Sequence, residues 1–199
     1  MKMQKELRNR SLAEDIEELC AVLTIFTGQA AQVEAAGAVL LASLEAGGKL
    51  LTCGNGGSAA DALHLAEELV GRYCRERRAL PAVCLAADST ALTCISNDYG
   101  YDQVFARRVE ALGRPGDVLV GFTTSGNSPN VLAAFAAAKR RGLTTVLVSG
   151  RDGGNARGLC DHEIIVPSKT TARIQEVHTL VLHHWLETID AHTWPAQRL

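Results

Sequence analysis

The chain has 199 residues and a formal net charge of −2, with 47% hydrophobic, 21% charged and only 5% aromatic residues. That length suits one domain with a large core rather than two full ones. The near-balanced charge excludes the global basic field that nucleic acid or an anionic membrane surface calls for. The opening residues Lys2, Lys5, Glu6 and Arg8 are too charged to lead into a signal-peptide core. No apolar run reaches the length of a membrane span, so the expectation is a cytoplasmic protein with no membrane and no nucleic-acid partner. Six cysteines are scattered without a C-x-x-C pair and read as free thiols.

In chain order, residues 11–46 carry two helical patterns. Leu12, Ile16, Leu19, Val22 and Leu23 recur at helical spacing, then Val33, Val39, Leu40 and Leu44, and Gly47-Gly48 ends the second. Beyond them, short apolar runs alternate with helices. Strands are expected at 49–53, 81–86, 117–122, 144–149 and 163–166. Helices are expected at 59–70, 90–96, 103–111, 130–141, 154–160 and 173–189. Such alternation implies a mainly parallel sheet covered on both faces. Ligands in such folds bind at the carboxyl ends of the strands, which singles out two loops.

The first is Gly54-Asn55-Gly56-Gly57-Ser58, between a strand and a helix. Its glycines permit positive φ and close backbone approach to a ligand, and Ser58 can cap the helix. A tight strand-to-helix turn is the plainer reading. It does not fit G-x-G-x-x-G and has no Walker lysine, so a nucleotide is not indicated. The second is Thr123-Thr124-Ser125-Gly126-Asn127-Ser128-Pro129, with four hydroxyls in its first six residues. Pro129 suits the first position of a helix. Hydroxyls beside the free N–H groups of a helix start make an uncharged anion site. That favours phosphate over an N-cap with spare polar neighbours.

His64 and Glu68 are four apart on an expected helix and share one face near the glycine loop. They can hold a divalent metal, act as acid and base, or form an ordinary surface pair. Three of the six histidines, His178, His183 and His184, fall on the last helix, where imidazole suits proton transfer and metal binding alike.

Together these residues resemble the sugar isomerase (SIS) family, and more closely its phosphoheptose isomerases. The matching stretches are Gly54 to Ser58 with Asp61-Ala62, His64 and Glu68 with Gly71-Arg72-Tyr73, Asn97-Asp98-Tyr99-Gly100, Thr124 to Ser128, and Arg173-Ile174-Gln175-Glu176 followed by His183. They span roughly residues 11–190. The resemblance implies a three-layer flavodoxin-like α/β sandwich with a central parallel sheet. The whole chain would be a single SIS domain. Helices at 1–46 would serve packing and oligomerisation, and 47–190 would form the α/β core and C-terminal helix. It implies a homotetramer with shared active sites and one zinc per subunit. The implied reaction converts sedoheptulose 7-phosphate into D-glycero-D-manno-heptose 7-phosphate, the first step toward nucleotide-activated heptose.

Carried over by motif, Glu68 and His183 would be the acid/base pair. His64, Glu68, Gln175 and His183 would bind the metal. Asn55, Gly56, Gly57, Ser58, Glu68, Asn97, Asp98, Thr123, Thr124, Ser125, Ser128 and Gln175 would line the substrate. Family members often have Ser at Thr123, some have His at Ala59, and some have Asp at Ala172. The last difference removes one polar sugar contact. Gln175 and His183 are eight residues apart, about 12 Å along a straight helix and about 80° apart in direction. Either the helix starts after Gln175, the side chains lean together, or a neighbouring subunit contributes. Two rivals are a non-enzymatic SIS tetramer that binds the replication initiator and a SIS isomerase for another sugar phosphate.

Overall fold

A computed structural model describes residues 10–195. Five strands, β1 (Leu50–Cys53), β2 (Ala82–Cys84), β3 (Val118–Thr123), β4 (Thr144–Gly150) and β5 (His162–Val166), form one sheet in the order β2-β1-β3-β4-β5. Every neighbouring pair is parallel. This is the flavodoxin-like order, whose switch point lies between β1 and β3. The glycine loop leaves β1 and the Ser/Thr loop leaves β3, so both open at that switch point.

Among the described residues seven α-helices cover the sheet: α1 (Leu12–Phe26), α2 (Ala30–Glu45), α3 (Gly57–Val70), α4 (Ser89–Tyr99), α5 (Ala106–Leu112), α6 (Pro129–Arg140) and α7 (Thr171–Ala191). Strand side chains alternate between two cores. Leu50, Val118, Val120, Phe122, Val146 and Val148 meet α1, α2, α3 and α7. Leu51, Cys53, Leu119 and Leu147 meet α5 and α6 on the other face. Gly121 faces that second core because the Phe135 ring occupies the space of its missing Cβ.

The N-terminal helices differ from two separate elements. Ser11 and Glu14 form a capping box at the start of α1, and a single 3₁₀ turn, Thr27–Gln29, joins α1 to α2. The resulting stretch, Leu12–Glu45, is long and apolar enough to cross a bilayer by length and composition, which corrects the expectation that no such run exists. Here only its inner face is buried. Val22, Phe26, Val33, Leu40 and Leu44 are buried against the sheet and α7, and the Trp185 indole N–H donates to the Val33 carbonyl at 2.8 Å. The Arg173 guanidinium ties the start of α7 to α1 through the Asp15 carbonyl (2.7 Å) and carboxylate (3.2 Å).

One expected helix fails. Residues 154–160 hold only a 3₁₀ turn, Gly154–Ala156. Gly153, Gly154 and Gly158 take positive φ, and the Glu163 carboxylate captures the Gly158 and Cys160 N–H groups that a helix would use. Residues 101–105 are likewise not α-helical: Tyr101–Gln103 is a 3₁₀ turn, and α5 begins at Ala106. All six cysteines are free. Burial pushes the Cys53 thiol far up and Cys160 to about 12, so neither supplies a thiolate near neutrality.

Candidate active site

The glycine loop turns at Gly56, whose φ of 57° and ψ of −123° suit glycine alone. Gly56 is also the N-cap of α3 and no side chain caps the helix, so Ser58 does not play the capping part its position suggested. Ser58 lies inside the first turn and is buried. Asn55 is held rather than free. Its amide pairs reciprocally with Asn130 at 2.9 and 2.8 Å, and its Oδ1 also accepts from the Tyr101 hydroxyl at 2.9 Å.

In the Ser/Thr loop, Thr123 is buried and its hydroxyl accepts the Gly126 N–H at 3.2 Å. The Ser125 hydroxyl accepts the Asn127 N–H at 3.2 Å. Ser128 is the N-cap of α6 with Pro129 behind it, yet its side chain makes no capping bond. It is 3.4 Å from the Thr123 hydroxyl instead. A cap was the plainer explanation for this serine, and the geometry removes it. The Thr124, Ser125 and Ser128 hydroxyls stand half-buried at a helix start, an arrangement fit for an anion. Beside it opens a cleft of about 750 Å³ lined by Asn127, Arg151, Asp152, Pro167, Ser168 and Lys169. Arg151 and Lys169 bring two cations that the sequence reading did not single out. Arg151, with φ of 61°, is the one non-glycine residue in the left-handed region among the described residues.

Helices α3 and α7 run in the same direction. Gly57 meets Gln175, Asp61 meets Thr179 (3.4 Å), and the His64 ring meets the His183 ring edge-on at 5.1 Å. This register decides the question raised by the Gln175–His183 spacing. Both lie on one continuous helix, Thr171–Ala191. Helical side chains lean toward the N-terminus, so Gln175 leans away from His183. Its amide fills the space where a Cβ on Gly57 would sit.

His64, Glu68 and His183 therefore come together, while Gln175 stays about two turns off at the glycine loop. The His64 Nε2 lies 3.6 Å from the Glu68 carboxylate. The Tyr73 ring packs over His183 at 5.9 Å. Burial chiefly, with Glu187, Cys74, Glu68 and Asp190 adding negative charge, raises the Tyr73 phenol. His64, Glu67 and Glu68 each offer a ligand atom within 4.8 Å of the others. The His/Glu set thus suits a divalent metal by donor chemistry. Glu67, exposed and adjacent to Glu68, was not read from the sequence.

Asn97 and Asp98 sit exposed near the end of α4, a helix with no fully buried residue, and bond to each other at 2.8 Å. His178 is fully buried. Its Nε2 donates to the Ser149 carbonyl at 3.2 Å, and its Nδ1 faces the Asp61 carboxylate at 3.8 Å. His184, by contrast, is on the surface.

The close approach of Gly57 and Gln175 yields a test. Gly57→Ala is expected to expel the Gln175 amide from its seat, because the new methyl and the amide cannot share that volume. A fall in melting temperature should follow, worth about 1–3 kcal/mol of stability. Calorimetry would show this, and an unchanged melting temperature would show that the Gln175 amide moves aside without cost.

The SIS domain family matches residues 15–150. The phosphoheptose isomerase of Solidesulfovibrio magneticus is 50% identical over 188 residues, covering 94% of this chain and 92% of that one. The phosphoheptose isomerase structure from Neisseria gonorrhoeae superposes with a TM-score of 0.85 at 43% identity, covering 90% and 97% of the two chains. That from Francisella tularensis does so with 0.87 at 34%, covering 90% and 96%. On fold, loops and sequence alike, the chain belongs to the phosphoheptose isomerases of the SIS-domain family.

Proposed function

We propose that this protein converts sedoheptulose 7-phosphate into D-glycero-D-manno-heptose 7-phosphate in the cytoplasm. The observation that carries the reading is the convergence of Glu68, His64 and His183 from two helices of a fold whose sheet ends in a hydroxyl-lined helix start. The Thr124, Ser125 and Ser128 hydroxyls, with the Asn130 N–H at the start of α6, would hold the phosphate. Asn55, Gly56, Gly57, Asn97, Asp98 and Gln175 would meet the sugar.

In the chemical step, one group of the Glu68/His183 pair takes the proton from C1 of the ketose and returns it to C2. The other moves a proton between the two oxygens, so an enediol lies between ketose and aldose. Phosphate held at the far end supplies binding energy that positions C1 and C2. His64, Glu68 and His183 would hold zinc, which when bound supplies Lewis-acid stabilisation of charge on the sugar oxygens.

A tetramer with shared active sites is part of the same reading. Glu68 lies ten residues beyond Ser58, about 15 Å of helical rise away from the chain's own glycine loop. A neighbouring copy is the simplest way to bring an acid/base cluster and an anion loop together, and to supply Gln175 as a fourth metal ligand. Leu12, Ile16, Ile25 and Leu180 are each at least half exposed on α1 and α7. They offer the apolar face that such assembly buries, with the N-terminal helices as packing elements of one SIS domain.

The test is direct. Purified protein is incubated with sedoheptulose 7-phosphate, and the anomeric proton signals of the aldose are followed by NMR, with and without a chelator. The expected result is aldose formation that falls on chelation and returns with zinc. No aldose in either condition would overturn the reading. Turnover of a pentose or amino-sugar phosphate instead would move it to another sugar.

A further inference from the structure

We propose that Asn130 is a positioning residue of the anion site, joining the glycine loop to the Ser/Thr loop through Asn55, with the Tyr101 hydroxyl as the third member of the clamp. The inference rests on the phosphate reading of that site.

Asn130 is 1% exposed and second in α6, immediately behind the hydroxyl-bearing loop. A buried polar side chain at a helix start is usually explained by local capping, and Asn130 does cap locally, its Oδ1 accepting the Val131 N–H at 3.0 Å. Its remaining capacity is spent across the sheet edge. The Nδ2 donates to Asn55 Oδ1 at 2.8 Å, and the Oδ1 accepts from Asn55 Nδ2 at 2.9 Å. A reciprocal amide pair is satisfied in one mutual orientation only, so it fixes angle as well as distance.

The two partners sit at the starts of two helices. Asn55 lies two residues before the first residue of α3, and Asn130 lies one residue after the first residue of α6. These helices follow β1 and β3, the strands at the switch point. The pair therefore holds two positive helix ends beside one another, where the first N–H of each, that of Gly57 and that of Asn130, can share one anion.

Tyr101 extends the clamp. It lies in the 3₁₀ turn that follows α4, the helix carrying Asn97 and Asp98, and donates to Asn55 Oδ1 at 2.9 Å. Three substrate-facing segments thus meet at one amide. Because Tyr101 is 56% exposed, removing its hydroxyl disturbs no packing and isolates the hydrogen bond.

The experiment measures inorganic phosphate binding by calorimetry to the wild-type protein, Asn130→Leu, Tyr101→Phe and the double variant, with steady-state kinetics on the sugar phosphate alongside. Leu keeps the volume and adds no charge. Phosphate affinity is expected to fall about tenfold in Asn130→Leu and about threefold in Tyr101→Phe. KM should rise in step and kcat should fall by less than KM rises. The double variant should bind no more weakly than Asn130→Leu alone, since both act through Asn55. Wild-type-like phosphate affinity in both single variants, or a fall in kcat with KM unchanged, would overturn the clamp while leaving the anion site standing. If Asn130→Leu fails to fold, Tyr101→Phe decides alone. If the wild-type protein itself binds no phosphate, the anion-site reading falls and the clamp falls with it.

Discussion

Glu68→Gln is expected to lower turnover of sedoheptulose 7-phosphate by about 10²–10⁴-fold while leaving fold and assembly intact. The carboxylate is the only part of Glu68 changed. Its side chain is 21% exposed, and the His64 ring nitrogen lies 3.6 Å away, too long for a strong bond. The structural work of the residue is done by its backbone carbonyl, which accepts from the Arg77 guanidinium at 2.7 Å. An amide of the same shape therefore costs little stability and removes one member of the proposed acid/base pair. His183→Gln should behave alike, since its ring only packs edge-on against His64 and beside Tyr73.

A run in heavy water separates chemistry from binding. The wild-type protein should place solvent deuterium at C2 of the aldose as the enediol is quenched, and Glu68→Gln should not. Zinc affinity, measured separately, should fall in both variants on the proposed ligand set, since Glu68 belongs to the His64/Glu67/Glu68 donor group and the His183 ring lies beside His64. Wild-type rates in both would remove them from the chemistry.

How much of this was legible in the sequence differs by element. The strands and their parallel pairing followed from apolar runs of four to six residues between helices, because a parallel sheet buried on both faces leaves no polar alternation to confuse; their flavodoxin-like order came from the family resemblance. The Ser/Thr loop and the His64–Glu68 pair were legible because their chemistry is contained in consecutive or i,i+4 residues. The meeting of His64 with His183 came from the family resemblance alone. It depends on α3 and α7 running parallel in a fixed register, a property of packing that no local pattern records. The same register explains why Gln175, an equal member of the motif, lies against Gly57 instead.

Asn130 was missed for a related reason. It is an ordinary asparagine behind a proline until the sheet brings Asn55 to it from 75 residues away. The helix expected at 154–160 failed because three glycines with positive φ and the Glu163 carboxylate outcompete weak local helix propensity.

The largest stability effect is expected at Asp190, near the end of α7. Its side chain is 5% exposed and pairs at 2.9 Å with Arg77, itself 3% exposed. Its other oxygen accepts the Cys74 and Arg75 N–H groups at 2.8 and 2.7 Å. Arg77 passes the restraint on, donating to the carbonyls of Glu68 and Leu69 at the end of α3. Asp190→Ala leaves the buried Arg77 guanidinium without its carboxylate and takes the acceptor from the Cys74 and Arg75 N–H groups. That costs about 3–5 kcal/mol, or roughly 10 °C in melting temperature for a chain of this size at fixed protein concentration.

The pH dependence gives the claim a second edge. Burial by itself would raise the Asp190 carboxyl, but the Arg75 and Cys74 N–H groups and Arg77 outweigh it and hold the carboxyl below its ordinary range. A carboxyl lowered on folding contributes stability that is complete above its unfolded value, near pH 4, and is lost as pH falls through the folded value. The gap between wild-type and Asp190→Ala melting temperatures should therefore stay constant from about pH 5 to 8 and narrow below about pH 4. Because the same clamp sets the ends of α3 and α7, the folded variant should also lose turnover through misplacement of Glu68 against His183, by a smaller factor than Glu68→Gln. A variant that melts like the wild-type protein at pH 7 would show that Arg77 and the loop find water or other partners, and that the register of the two helices is held by their apolar contacts alone.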